Sequence, residues 1–229
     1  MRFVDDNVLR FLNGYLGKDD DDAFVRCSDF AYRDMCRTIR FSDEYNEKNE
    51  TETNHQKAIA QKKRILRDKI TEIIKEKVFE WIKEPPTDFD KEHKALCKII
   101  IEKYKGTTNQ GEENNSLYFG QAQKWVNMTL KNLYIYSKTN STSLNLTSLL
   151  PYMHIPIDNI ILDIAADVKK CYIDPIETVY GLKKPEKSWS KWDHDTYEEY
   201  QTKLKNKIAP ATPILWELTH WSTTIKKGD

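Results

Sequence analysis

Lysine and aspartate are the residues of this sequence whose positions could support covalent chemistry. Lys124 follows Gly120 by four residues and lies at the start of an apolar segment that predicts a helix. The positive potential at a helix N-terminus disfavours a protonated amine, and a neutral amine is the form that attacks carbon to give a Schiff base. A simpler interpretation is that Lys124 and Lys131, seven residues apart, form a solvent-facing stripe.

The second candidate group is the carboxylate of Asp158, in the segment PYMHIPIDNIILDIAADV. Taken alone, Asp158 fits the N-cap of the apolar helix that follows it, because Asp is a preferred capping residue. Asp163, further along that helix, is a weaker candidate. Considered together, Lys124 and Asp158 indicate shared chemistry, in which an amine attacks and a carboxylate stabilises the positive charge that develops.

The spacing of these residues resembles the helix-hairpin-helix DNA glycosylase superfamily. That superfamily has a hairpin glycine, a lysine four residues on, an apolar helix and then a proline-preceded aspartate. Gly120 and Lys124 match the first part, although the hairpin reads G-Q-A-Q-K and lacks a second glycine, and the residues 155–158 match the second part. The 34 residues from Lys124 to Asp158, and a second lysine at Lys131, look closest to the archaeal 8-oxoguanine glycosylase branch.

The resemblance implies a fold, an activity and a set of site residues. The fold would be all-α, with two packed helical subdomains and a cleft between them. The activity would be that of a DNA glycosylase and abasic-site lyase, with Lys124 as nucleophile, Asp158 as the assisting carboxylate and double-stranded DNA with a damaged or modified base as the partner. A flipped base would be held by His154, Trp125 and Trp216. DNA would be contacted by Gly120, Gln121, Gln123, Lys131, Lys62 and Lys63.

Composition and spacing argue against several other classes of protein. The 229 residues carry 36 Lys plus Arg and 36 Asp plus Glu, so a nucleic-acid partner would be met by a local basic patch such as Lys62-Lys63-Arg64. The four cysteines form no C-x-x-C pair and the histidines no H-x-x-x-H spacing, so we expect reduced thiols and no metal site. Glycine motifs for nucleotide binding are also absent, and no cofactor is expected.

The cellular setting follows from what the sequence lacks. The apolar stretches fall short of the roughly eighteen residues of a membrane helix. The N-terminus MRFVDDNVLRF has acidic residues where a signal peptide needs basic ones. We therefore expect a soluble, cytoplasmic, nucleoid-associated protein without a membrane partner.

The elements that would position the candidate residues are predicted to be helices, since only seven glycines occur and apolar residues recur at spacings of three and four. Residues 1–229 are expected to form one helical domain or two closely packed halves, with a polar loop near 42–54 and a hairpin near 105–124. About nine or ten helices are expected. The clearest segments are 7–16, 22–41, 55–82, 88–104, 116–136, one beginning near Ile157, 194–208 and 213–223.

Two other functions are compatible with the sequence. One is a non-enzymatic α-helical interaction or regulatory protein, in which Lys124 is a surface residue and Asp158 an ordinary cap. The other is an RNA-processing enzyme with a motif of a different kind. The separation of the Lys124 amine and the Asp158 carboxylate distinguishes the first of these from the glycosylase, because the glycosylase needs both groups in one place.

Overall fold

The computed structural model describes residues 20–45, 53–110, 115–139, 144–166 and 181–224. Within those ranges the protein is predominantly helical and contains no named strand, which confirms the predicted all-α class. The helices are α1 (Asp20–Cys36), α2 (Thr53–Lys83), α3 (Phe89–Lys103), α4 (Phe119–Thr139), α5 (Asn159–Ala165), α6 (His194–Ile208) and α7 (Pro213–Thr224). Short 3-10 turns cover Asp43–Tyr45 and Trp189–Lys191. The predicted helix at 7–16 lies outside the described residues.

Aspartates begin three of these helices by capping them. The side chain of Asp88 accepts a hydrogen bond from the Lys91 amide at the start of α3. Asp158 and Asp193 do the same for α5 and α6. A side-chain oxygen that accepts from an otherwise unpaired amide in the first turn fixes where the helix starts.

Helix α4 is the central element of the fold. It packs against α1, α3, α6 and the turn Trp189–Lys191. Trp125, Val126, Leu130 and Leu133 are fully buried along it. A helix that is covered on most of its circumference belongs to the core, and side chains on its different faces therefore meet different neighbours.

The connection from α3 to α4 contains the segment predicted as a hairpin. Gly106 has a φ of +76°, a conformation that glycine adopts more easily than other residues. Thr108 in this connection forms an isolated antiparallel bridge with Phe41. Phe41 is therefore not helical, and α1 ends at Cys36 rather than continuing to Phe41 as predicted. The polar loop near 42–54 begins as the turn Asp43–Tyr45, and 46–52 lie outside the described residues. The predicted cleft between two subdomains stays a prediction.

The cysteines of the described ranges are free thiols. Cys27 and Cys97 are buried and Cys36 is partly exposed, whereas Cys171 lies outside those ranges. Burial raises the pKa of the Cys27 and Cys97 thiols, because removal from water disfavours the thiolate. None of the helices in the described part of the chain combines the length and apolar character needed to cross a bilayer.

Candidate active site

Two lysines on one face of α4 each meet a carboxylate from another part of the chain. Lys124 Nζ donates a hydrogen bond to Asp158 Oδ2 at 2.7 Å. Two helical turns further on, Lys131 Nζ donates to Glu217 Oε1, also at 2.7 Å. The two lysine side chains are only 4% and 5% exposed, so the interpretation as a solvent-facing stripe is wrong. Long-range pairing explains why these positions are lysine.

Asp158 combines the two roles that the sequence offered for it. Its Oδ1 accepts from the Ile161 amide at 2.9 Å and so caps α5, and its Oδ2 accepts from Lys124. The neighbouring Ile155 and Ile157 side chains are fully buried and anchor the turn that delivers the carboxylate. The Asp158 side chain is 22% exposed, so this ion pair reaches the surface through its carboxylate.

Glu217, on α7, is a member of the site that the sequence interpretation missed. Its side chain is 2% exposed, and burial raises the pKa of its carboxyl group while the charge of Lys131 acts in the opposite direction. Lys124 and Asp158 also act on it electrostatically. The available signal was a single acidic residue within the apolar segment PILWELTHW, because a charge in such a segment needs a buried partner.

Gly120 lies inside α4 rather than in a hairpin turn, and it is buried. Its amide donates to the Trp192 carbonyl at 3.0 Å. A Cβ at this position would overlap the carbonyl oxygen of Trp189. The expected role of Gly120 in holding a DNA phosphate does not fit this environment, since a phosphate-binding amide must be accessible and unpaired. The glycine instead permits the close approach of 189–192 to the start of α4.

Gln121 and Gln123, both expected to contact DNA, are buried as well. The Gln121 amide donates to the carbonyl and hydroxyl oxygens of Thr38, which attaches the start of α4 to the segment that follows α1. Gln123 donates to the Gly120 carbonyl and accepts from Asn127. These side chains, like that of Lys131, have internal partners, and we do not include them in a DNA-binding surface.

The two tryptophans expected in a base pocket are located apart from each other. Trp125 faces α1, where its indole N–H donates to Ser28 and its ring contacts Tyr32. Trp216 is buried on α7 directly before Glu217, with its ring 4.6 Å from that of His220. Trp125 is therefore a core residue, whereas Trp216 belongs to the helix that provides the second carboxylate.

His154 takes part in a polar chain along another side of α4. Its ring nitrogens are 2.6 Å from Asp90 Oδ1 and 2.8 Å from the Tyr197 hydroxyl. The same hydroxyl accepts from Asn127, whose side-chain oxygen lies 2.8 Å from His93. The hydrogen bond from His154 lowers the pKa of Asp90, whereas burial lowers that of His93 well below its usual value. Within the described ranges, no hydrogen bond or ring contact joins His154 to Lys124 or Asp158.

Lys62 and Lys63 lie at the surface near the loop that follows α1. Lys62 Nζ is 5.7 Å from the centroid of the Tyr45 ring, and Lys63 Nζ is 4.6 Å from that of Phe41. The Phe41 and Tyr45 rings are themselves stacked, and Arg40 beside them is exposed. We call this group of cationic and aromatic residues the basic-aromatic face; it consists of Arg40, Phe41, Tyr45, Lys62 and Lys63. Surfaces that bind nucleic acids often combine cations with aromatic rings in this way.

In the described part of the chain, one group of side chains has donor atoms close enough to hold a metal ion. His194, Asp195 and Glu198 place one donor atom each within 4.8 Å of the others. Both carboxylates are exposed, and such arrangements are common on helix surfaces. The group shares no residue with the pairs on α4.

Comparison of the chain with known protein families, with curated proteins and with solved structures finds no match. The functional argument therefore rests on the geometry around Lys124.

Proposed function

We propose that this protein is a DNA glycosylase and abasic-site lyase that excises a damaged or modified base, with Lys124 as the nucleophile and Asp158 as its assisting carboxylate. The observation that supports this most is the 2.7 Å contact between the Lys124 amine and the Asp158 carboxylate, groups 34 residues apart in the sequence. Neither a surface lysine nor an ordinary helix cap requires that contact.

The pair suits a reaction at the anomeric carbon of a nucleotide. The amine, after losing its proton, forms a bond to C1′ as the bond from C1′ to the base breaks, and the departing base takes up a proton. The Asp158 carboxylate lies where it would stabilise the positive charge that develops on the sugar. Opening of the sugar ring gives a Schiff base, from which the 3′ phosphate can be eliminated.

The surroundings of the pair also favour this chemistry. A carboxylate in a site mostly closed to water interacts more strongly with a developing cation than it does in bulk solvent. Lys124 is almost fully buried, whereas Asp158 keeps a partial opening to the surface. A nucleotide flipped out of a duplex would approach through that opening.

A DNA-binding surface is available beside the start of α4. Gln121 attaches α4 to Thr38, and the Arg40 backbone is hydrogen-bonded to both Asn109 and Gln110. Gln110 in turn donates to Gln121, so these contacts connect the backbone at Arg40 to the first turn of α4. The surface is local, which agrees with the formal net charge of zero.

The experiment that tests the proposal is borohydride trapping on a DNA duplex with one abasic site or one 8-oxoguanine. The wild-type protein should form a covalent complex, and Lys124→Gln should form none, because the amine that makes the Schiff base is gone. Lys184→Gln is the matched control, since Lys184 forms an exposed ion pair with Asp163 at 2.8 Å. If Lys124→Gln forms the complex as well as the wild type does, the proposed nucleophile is wrong.

Salt dependence tests the surface separately. Each phosphate contact that is lost should reduce the slope of log K against log salt by about 0.9. Replacement of Lys62 and Lys63 by alanine should therefore weaken duplex binding and flatten that slope. Lys203→Ala and Lys205→Ala on α6 remove the same charge elsewhere, and their slopes should equal that of the wild type. A non-enzymatic interaction protein would show neither trapping nor salt-dependent DNA binding.

A further inference from the structure

The covering of the Lys124 amine is a feature that the reaction must overcome. The Lys124 side chain is 4% exposed, yet a nucleophile must touch its substrate. Within the described residues, the amine makes a hydrogen bond to one side chain and a ring contact with another. Asp158 accepts its hydrogen bond at 2.7 Å, and the indole of Trp189 lies with its ring centroid 5.8 Å from Nζ.

Trp189 is held in this position by contacts that the sequence explains. Because Gly120 has no side chain, the Trp189 carbonyl lies directly against α4. The Gly120 amide donates a hydrogen bond to the Trp192 carbonyl. The indole N–H of Trp192 donates to the Lys187 carbonyl at 2.7 Å, which closes the segment on itself. These contacts attach the backbone of Trp189 to α4, and the Trp189 ring lies beside the Lys124 amine.

The distance from the amine to the ring limits how far a substrate carbon bonded to Nζ could lie from the indole. A carbon atom bonded to Nζ would lie about 1.5 Å from it, and so within about 7.3 Å of the Trp189 ring centroid. A sugar and base attached at that carbon extend several ångströms further. Aromatic rings are favourable surfaces for an unstacked base or for the apolar face of a sugar.

We infer that Trp189 forms the wall of the site at Lys124: its indole shields the amine in the free protein and is the surface that a nucleoside must contact when its anomeric carbon reaches Nζ. The contact with a nucleoside rests on the proposed function, whereas the shielding concerns the free protein alone. Trp189 was absent from the base pocket expected from the sequence, which contained Trp125 and Trp216.

The shielding is tested without DNA by reductive methylation of the intact protein with formaldehyde and cyanoborohydride, followed by peptide mass spectrometry. Trp189→Ala should raise the rate of modification at Lys124 several-fold and leave the exposed Lys62 and Lys203 unchanged. Trp81→Ala is the matched control, because Trp81 is a buried tryptophan whose ring contacts Phe89 on a different part of the fold. An unchanged rate at Lys124 in Trp189→Ala, or an equal rise in Trp81→Ala, would overturn the inference.

The substrate contact is tested on duplexes that contain 8-oxoguanine or a preformed abasic site. Loss of one stacked base corresponds to roughly a 5- to 150-fold effect, so Trp189→Ala should slow reaction of the 8-oxoguanine duplex by that factor. Trapping on the abasic duplex, which has no base to stack, should change less, and Trp189→Phe should recover most of the loss. Equal losses on both duplexes would overturn the stacking contact.

Failure of the two proposals can be told apart. If wild-type protein traps neither duplex, the glycosylase proposal fails, and the contact of Trp189 with a nucleoside fails with it. The rate of Lys124 methylation in Trp189→Ala still decides the shielding. If wild-type protein traps DNA but Trp189→Ala behaves as wild type in both experiments, the glycosylase proposal stands and the inference about Trp189 is wrong.

Discussion

The two lysine–carboxylate pairs on α4 have the same chemistry and the same 2.7 Å separation, but they differ in access to solvent. In the outer pair, Lys124 and Asp158 are 4% and 22% exposed, and the carboxylate belongs to the N-cap of a short helix. In the inner pair, Lys131 and Glu217 are 5% and 2% exposed, and both residues lie within long helices. The outer pair is therefore accessible to another molecule through Asp158, whereas both side chains of the inner pair are buried.

Under the proposed function, this difference assigns the chemistry to the outer pair and a structural role to the inner pair. A buried ion pair stabilises little by itself, but the loss of one partner leaves an uncompensated charge and is costly. The inner pair therefore joins α7 to α4. The opposite charges of Lys131 and Glu217 compensate each other in the interior, close enough to the outer pair to interact with it electrostatically. The outer pair has an edge at the surface, where in the proposed reaction the Asp158 carboxylate would exchange its lysine partner for the developing cation of a substrate.

The largest expected effect on stability comes from breaking the inner pair. Glu217→Gln should lower the free energy of unfolding by about 3–5 kcal/mol, because Lys131 is left buried without its carboxylate. The double variant Lys131→Met with Glu217→Leu should recover most of that loss. Chemical denaturation measures both.

Asp163→Asn, which breaks the exposed pair with Lys184, is the comparison for this experiment and should cost less than about 1 kcal/mol. If Glu217→Gln costs no more than Asp163→Asn, the inner pair does not have the role assigned to it.

In the outer pair, the largest effect should be on rate rather than on stability. Asp158→Asn should slow base release by about 10²–10³-fold, because it removes the charge that stabilises the transition state. Asn caps helices as well as Asp does, so α5 should stay intact. Loss of the carboxylate charge beside the buried Lys124 should lower the free energy of unfolding, but by less than Glu217→Gln does, because the Asp158 side chain is 22% exposed. Single-turnover base release and the melting temperature are the two measurements. A large loss of stability with an unchanged rate would reverse the assignment of the two pairs.

A smaller effect is expected at Gly120, where the segment 189–192 packs on the outer pair. Gly120→Ala should destabilise the protein by about 1–3 kcal/mol through overpacking, because the new Cβ overlaps the Trp189 carbonyl. By displacing Trp189 it should also increase methylation of Lys124. Gly106→Ala, whose Cβ would meet no neighbour but whose φ is positive, should show strain of about 1 kcal/mol and no change at Lys124. Equal behaviour of the two variants would contradict the account of Gly120.

The smallest effect is a dependence on pH from His93, which is buried beside α4 with its Nε2 atom 2.8 Å from the side-chain oxygen of Asn127. Burial lowers the pKa of His93, so the folded protein keeps the ring neutral while the unfolded chain takes up a proton below about pH 6.5. Stability should therefore fall as the pH decreases from 7 to 5, by at most about 1.4 kcal/mol per pH unit from this group. His93→Gln should reduce that slope. Denaturation at several pH values measures it, and an equal slope in both proteins would show that His93 does not contribute.

The parts of the fold that were predicted correctly are those determined by local sequence. The long apolar periodicity predicted α2 as 55–82, close to the observed Thr53–Lys83. The helix starts predicted at 88, near 157 and at 194 lie within two residues of the observed starts at Phe89, Asn159 and His194. The end of α1 was placed at Phe41, too late, because the bridge from Phe41 to Thr108 joins distant parts of the chain.

The candidate site was predicted only in part, for the same reason. Lys124 and Asp158 were selected as a pair because their arrangement resembles the helix-hairpin-helix glycosylase pattern, and the structure brings the two side chains together. Glu217 and Trp189 could not be selected in this way, because Glu217 lies 86 residues from Lys131 and Trp189 lies 65 residues from Lys124, and no local pattern identifies such distant partners. Gly120 was predicted as a hairpin glycine, but it lies in the first turn of α4, against the Trp189 carbonyl.

The central claim, that Lys124 of the outer pair is the nucleophile, is tested most directly by mapping the attachment site in the trapped complex. Wild-type protein is reduced with borohydride on an abasic-site duplex, digested with protease and nuclease, and analysed by tandem mass spectrometry. The account predicts that the residual sugar adduct is on Lys124. An adduct on Lys131, or on an exposed lysine such as Lys62, would contradict it.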